Sequence, residues 1–129
     1  MGLHLGAISF IILIVTQTPL MRKVEEQMNH AIRHRKNWAG SNTTVRCFKE
    51  NGITTEVNVL LHGHCIAWFD TASNDFNISS CGWETVTTKS RLNALLEEFR
   101  DGARVVQKNF DWFLHDMGTV KPFVDGMTV

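Results

Sequence analysis

The spacing of apolar residues changes twice along this chain, and that change restricts the folds open to it. Between Arg22 and Asn37, Val24, Met28, Ala31 and Ile32 recur at the three- and four-residue spacing of one helix face, with Glu25 and Glu26 early and Arg33 and Lys36 late, as the helix dipole favours. Ala39-Gly40-Ser41-Asn42 is the expected stop. From Thr43 to Ser80 apolar and polar residues alternate, the period of a strand. The expected strands are Thr43 to Lys49, Thr54 to Leu61, Cys65 to Phe69 and Phe76 to Ser80, with turns at Glu50-Asn51-Gly52, His62-Gly63 and Asp70 to Asp75. Helical spacing returns at Leu92, Leu95, Leu96 and Phe99, behind an N-cap within Thr85-Val86-Thr87-Thr88 and ahead of Gly102 at the expected C′ position. Ala103 to Lys108 and Trp112 to Asp116 read as a hairpin across Asn109-Phe110-Asp111, and Asp125-Gly126 as one last turn before Met127-Thr128-Val129. The pattern predicts an α+β fold: an antiparallel β-meander with an N-terminal amphipathic helix and a second helix packed on one face, closed by a C-terminal hairpin. Val24, Met28, Ile32, Leu92, Leu95 and Phe99 are the expected helix contribution to the core.

A chain of 129 residues, 43% of them apolar, has room for one such domain, and the reading assigns it residues 21–129. Residues 1–20 form a separate hydrophobic leader. Leu3 to Met21 carries no Lys, Arg, Asp or Glu, yet the stretch lacks the basic start and small-residue exit of a signal peptide and includes His4, Thr16, Gln17 and Pro19. The preferred reading is a start of translation at Met21 with a spurious extension upstream. The alternative is an inner-membrane anchor, with Arg22 and Lys23 keeping the domain cytoplasmic.

Thirteen basic residues balance thirteen acidic ones, so no net field draws the molecule toward nucleic acid or anionic lipid, and any electrostatic partner must meet a local patch. One patch stands out. Arg33, Arg35 and Lys36 with Trp38, joined by Lys89, Ser90 and Arg91 in the first turn of the second helix, are candidate nucleic-acid contacts, the cations on phosphates and the indole stacking on a base. The runner-up is an interaction protein that binds and modulates a host protein through Trp83 and the loop at Cys81. Of the four tryptophans, Trp68 and Trp112 are expected in the core and Trp38 and Trp83 nearer the surface.

Other chemistry is thinly supported. His62-Gly63-His64 with Asp70 could be imagined in a metal-dependent nuclease, but the glycine turns the two imidazoles apart and the ligand count is short, so no metal ligands are assigned. Cys47, Cys65 and Cys81 stand singly without a Cys-x-x-Cys pair and read as reduced, buried thiols. No nucleophile elbow, Walker loop or dinucleotide fingerprint occurs, so no catalytic residue and no cofactor is assigned.

Several segments together resemble a family of small proteins of unknown function encoded by tailed bacteriophages, including those of marine cyanobacteria. They are Asn42-Thr43-Thr44-Val45, Leu61 to Ala67, Gly82-Trp83-Glu84-Thr85 through Leu96, Val106-Gln107-Lys108 and Asp125-Gly126-Met127. The similarity runs from Met21 to the C-terminus and is most specific between Gly82 and Leu96. It implies a phage origin and a location in the host cytoplasm, and it carries over no activity and no site residues.

Overall fold

The computed structural model describes residues 21–129, so the leader reading lies outside the described residues. In chain order the elements are α1 (Lys23–Arg33), β1 (Trp38–Gly40), β2 (Thr43–Glu50), β3 (Ile53–Leu61), β4 (His64–Asp70), β5 (Phe76–Ile78), α2 (Val86–Phe99), β6 (Ala103–Lys108), β7 (Asp111–Asp116), β8 (Thr119–Pro122) and β9 (Met127–Thr128). The expected α+β class is observed. An antiparallel sheet in the order β1-β2-β3-β4-β5-β9 carries the helices on one face, and β6-β7-β8 forms a second, three-stranded sheet. Among the described residues no helix is long and apolar enough to cross a membrane.

Alternation decides which face of the large sheet is covered. Val45, Val57, Val59, Leu61, Ala67, Phe69, Phe76 and Ile78 point toward the helices and are buried, where they meet Met28, Ile32, Leu92 and Leu95. Val24 and Phe99 of the expected helix set are half-buried at the margin, and Phe99 meets the Phe69 ring edge-on at 5.2 Å while Phe69 stacks on Phe76 at 4.1 Å. The opposite face carries one cross-strand row through the register Arg46↔Asn58↔Trp68↔Asn77↔Thr128. Trp68 therefore sits on the open face, half-buried, rather than beneath the helices as its strand position suggested. Trp112 is buried as expected, edge-on to Phe123.

α2 is the central element. It touches α1, β4 and β6, and its buried residues cover one broad face, leaving Val86, Glu97 and Glu98 exposed. The edge of β6 that has no strand neighbour among the described residues meets Asn93: Asn93 Nδ2 donates to the Val105 carbonyl at 3.0 Å and Asn93 Oδ1 accepts from the Val105 N–H at 2.7 Å. A side-chain amide thus completes the ladder and joins the small sheet to the helix.

Several boundaries differ from the sequence expectation. α1 ends at Arg33 instead of Asn37, because Arg35 turns left-handed (φ 55°), Lys36 N–H bonds back to Ala31 O at 2.9 Å and Arg35 N–H to Ile32 O at 3.1 Å. That is a Schellman ending with arginine where glycine is usual. The freed residues Trp38–Gly40 become the edge strand β1 rather than a helix stop. β5 stops at Ile78, and the C-terminal hairpin gains β8 beyond the tight Met117-Gly118 turn, with Gly102 two residues past the C-cap Arg100 rather than one.

Candidate functional site

The segment between β5 and α2 is short, left-handed at two residues and closely tied. Cys81 and Gly82 have φ of 54° and 78°, which turns the chain away from the sheet. Ser79 Oγ accepts the Cys81 N–H at 3.0 Å, Ser80 Oγ accepts the Gly82 N–H at 3.2 Å, and the Trp83 N–H bonds to Ser80 O at 2.9 Å. Ser80 itself is anchored across the molecule, since Asp125 Oδ1 accepts both its N–H at 2.7 Å and its hydroxyl at 2.8 Å. Beyond the loop, Thr85 caps α2 by accepting the Thr88 N–H at 3.1 Å, the cap its sequence position predicts.

This scaffold holds Trp83 outward. The indole is 60% exposed, although its backbone is fixed on both sides. It stacks on the His64 ring at 6.2 Å and 29°, and a cleft of about 340 Å³ opens beside the pair, floored by Leu61 and Ile66 and rimmed by His62, Thr85 and Thr87. A rigidly presented indole next to an apolar recess can receive a bulky apolar side chain without ordering a loop first. Cys81, the other residue expected here, is half-buried, with Sγ 2.8 Å from the Cys65 carbonyl oxygen.

The basic residues are distributed differently from the single patch the sequence suggested. Glu25 meets Ser90 and Arg91, and Arg33 meets Glu98, so α1 and α2 run in the same direction. The Arg33–Lys36 end of α1 therefore lies beside the C-terminal end of α2, about 12 Å along the axis from Lys89, Ser90 and Arg91 at its N-terminal end. Arg91 is only 4% exposed. Its Nη1 pairs with Glu25 Oε2 at 2.8 Å and its Nε donates to Thr43 Oγ1 at 3.0 Å, while Ser90 Oγ donates to the same Glu25 oxygen at 2.6 Å. These two side chains tie α1, α2 and β2 together, with Arg91 buried and Ser90 half-buried. Arg33 pairs with Glu98 at 2.9 Å, and Arg35 Nη1 donates to Ile32 O at 3.0 Å. Lys36 is exposed near Trp38, which is half-buried along the α1 side.

The histidines do not converge on Asp70. His62 lies in the turn, His64 opens β4 and Asp70 ends it, about 20 Å from His64 along the strand. Asp70 Oδ1 accepts the N–H groups of Ser73 and Ala72, which hold its carboxyl below the ordinary range. Among the described residues no group of three or more His, Cys, Asp or Glu side chains is placed to hold a metal. The three thiols are half-buried rather than buried, and burial pushes Cys47 and Cys65 upward.

Sequence reasoning missed Glu25, Asn93 and Asp125. Glu25 carries a helix-start signal that looks complete by itself, Asn93 sits mid-helix, and Asp125 acts through a contact 45 residues away. Of these roles only the early acidic position of Glu25 in the helix was legible; its carboxylate also accepts the Arg22 N–H at 3.3 Å.

Fold and site together define a small α+β domain with one exposed tryptophan on a hydrogen-bonded loop. The chain belongs to the Kyanoviridae Gp96 protein family of cyanophages, whose family model matches residues 21–129. No curated protein and no solved structure matches it.

Proposed function

We propose that the protein is a non-enzymatic phage accessory factor that docks onto a host protein, with Trp83 as the anchor and the neighbouring cleft receiving an apolar side chain of the partner. The observation that carries this reading is the 60% exposed indole on a loop whose backbone is tied to Ser79, Ser80 and, through Ser80, to Asp125. An exposed tryptophan ordinarily forfeits burial worth about 1.5–3 kcal/mol for a large apolar side chain, and a partner that covers it recovers that gain. On this reading the domain works in the host cytoplasm. The test is capture from nuclease-treated host lysate with wild type and Trp83→Ala side by side. A protein retained stoichiometrically by wild type and lost from the folded variant supports the reading, and the same proteins on both overturn it.

A second reading, contact with nucleic acid, is favoured by the C-terminal end of α1, where exposed Lys36 lies beside Trp38 and Arg35 is exposed one residue earlier. A salt titration with labelled single-stranded DNA decides it. Binding whose slope in log salt falls by about 1 unit for Lys36→Ala supports the contact, and binding without a salt slope, or none at low salt, removes it.

A further inference from the structure

We propose that Cys65 and Cys81 are a disulfide-forming pair, a modification site that reacts with a low-molecular-weight disulfide and pins the Trp83 loop to β4. The strand register brings them together. β4 and β5 pair antiparallel through Ala67↔Ile78, and the Ser79 N–H extends the ladder to Ile66 O at 2.8 Å. One step further, the register sets Cys65 opposite Ser80, so Cys81 is its diagonal neighbour, and the left-handed turn at Cys81 lays its Sγ 2.8 Å from the Cys65 carbonyl oxygen. Disulfides need Cα atoms about 4.4–6.8 Å apart, and a thiol in contact with the other cysteine's own carbonyl oxygen sets the two residues side by side. The Cys65 thiol donates to Ala67 O at 3.4 Å, a weak contact that costs little to give up.

Cys47 is a built-in control. Its register partners are Val57 and then Phe69, so it lies two strands across and four residues along from Cys65, about 16 Å away and beyond disulfide reach. The pairing also has a structural consequence next door. His64 stacks on Trp83, so a bond between residues 65 and 81 staples the same two backbone segments that form the lip of the cleft.

The chemistry balances with oxidised glutathione as the oxidant. The Cys81 thiolate attacks one glutathione sulfur, the S–S bond of glutathione breaks and the first glutathione thiolate leaves. Cys65 then loses its proton to solvent and attacks the Cys81 sulfur, forming the protein disulfide and expelling the second glutathione thiolate. Two protein thiols are oxidised and one glutathione disulfide is reduced to two thiols. Burial pushes the Cys65 thiol up, with Cys81 beside it adding to the shift against the Ala67 hydrogen bond, which suits Cys65 to the resolving step and slows it as the first nucleophile.

The experiment uses the full chain, reduced and then incubated with oxidised glutathione at mildly alkaline pH, followed by non-reducing proteolysis and mass spectrometry. A cross-linked peptide containing Cys65 and Cys81, with Cys47 free or carrying glutathione, is the expected result. Amide exchange across residues 79–85 slows on oxidation, Cys47→Ser keeps the cross-link and Cys81→Ser loses it. Glutathione adducts on all three cysteines with no 65–81 cross-link overturn the proposal, as does cross-linking of Cys47 at comparable yield.

Discussion

Arg91 and Glu25 show how a residue that looks available in sequence can be wholly committed in space. Both charges are buried, and the carboxylate also accepts from Ser90 and from the Arg22 backbone, so the pair is satisfied from several sides. Removing one partner strands the other in a dry environment, whereas removing both leaves a hole without a charge. Arg91→Met is expected to lower unfolding free energy by about 3–5 kcal/mol, and adding Glu25→Leu to restore most of that loss. Urea unfolding of the single and double variants checks the sign of the coupling, and additive losses would refute the pairing argument. Asp70 offers a gentler test. Its carboxyl is held low by the Ser73 and Ala72 N–H groups, so its contribution is complete above the ordinary carboxylate range and disappears as pH falls through the depressed folded value. The urea midpoint of wild type should drop between pH 6 and pH 2.5 by more than that of Asp70→Asn, with equal drops counting against the turn as the cause.

At the scale of elements, what could be read from sequence depended on whether the signal was local. The α2 cap at Thr85, the turns at Asn51-Gly52 and His62-Gly63, and the alternation that buries Val57, Val59 and Leu61 all sit within a few residues of their effect, and each was legible. The end of α1 was not, because the left-handed residue is Arg35, which has no side-chain preference for that conformation, and no glycine or proline marks the stop between Ile32 and Asn37. The same conflict recurs at the β6–β7 turn. Lys108 pairs with Asp111, which leaves Asn109 and Phe110 as a two-residue loop with φ of 52° and 71°, the geometry of a type I′ turn whose second position favours glycine. Phe110 is 89% exposed, so its ring contributes almost no burial there. Phe110→Gly is therefore expected to raise stability by about 1 kcal/mol, the left-handed penalty of an L-residue. A thermal melt reads the change, and a lower melting temperature would mean that the ring makes a contact worth more than the strain.

For the molecule as a whole, the question is how two sheets with separate hydrogen-bond ladders behave as one domain. Sequence could show a hairpin after the second helix, but not that Asn93, on the exposed-looking side of that helix, would complete the ladder of β6, since the contact depends on how α2 is sandwiched. For the same reason the candidate site was legible as Trp83 and Cys81 but not as a loop anchored by Asp125, a residue delivered by the C-terminal strand. Val105 is buried, so Asn93→Ala leaves its N–H and C=O without partners, at about 1–3 kcal/mol for each group. The loss should fall unevenly. Among the described residues β6, β7 and β8 pair only with one another, so loosening the clamp lets them open while the six-stranded sheet stays closed. Native-state amide exchange is the measurement that separates the cases: in Asn93→Ala, protection should fall first at Val105 and across β6 and β7, with Val57, Val59 and Ile66 keeping theirs. If all of these amides lost protection together, the small sheet would be bound into the core by its Ala103, Val105, Trp112 and Leu114 packing, and the amide clamp would be incidental to cooperativity.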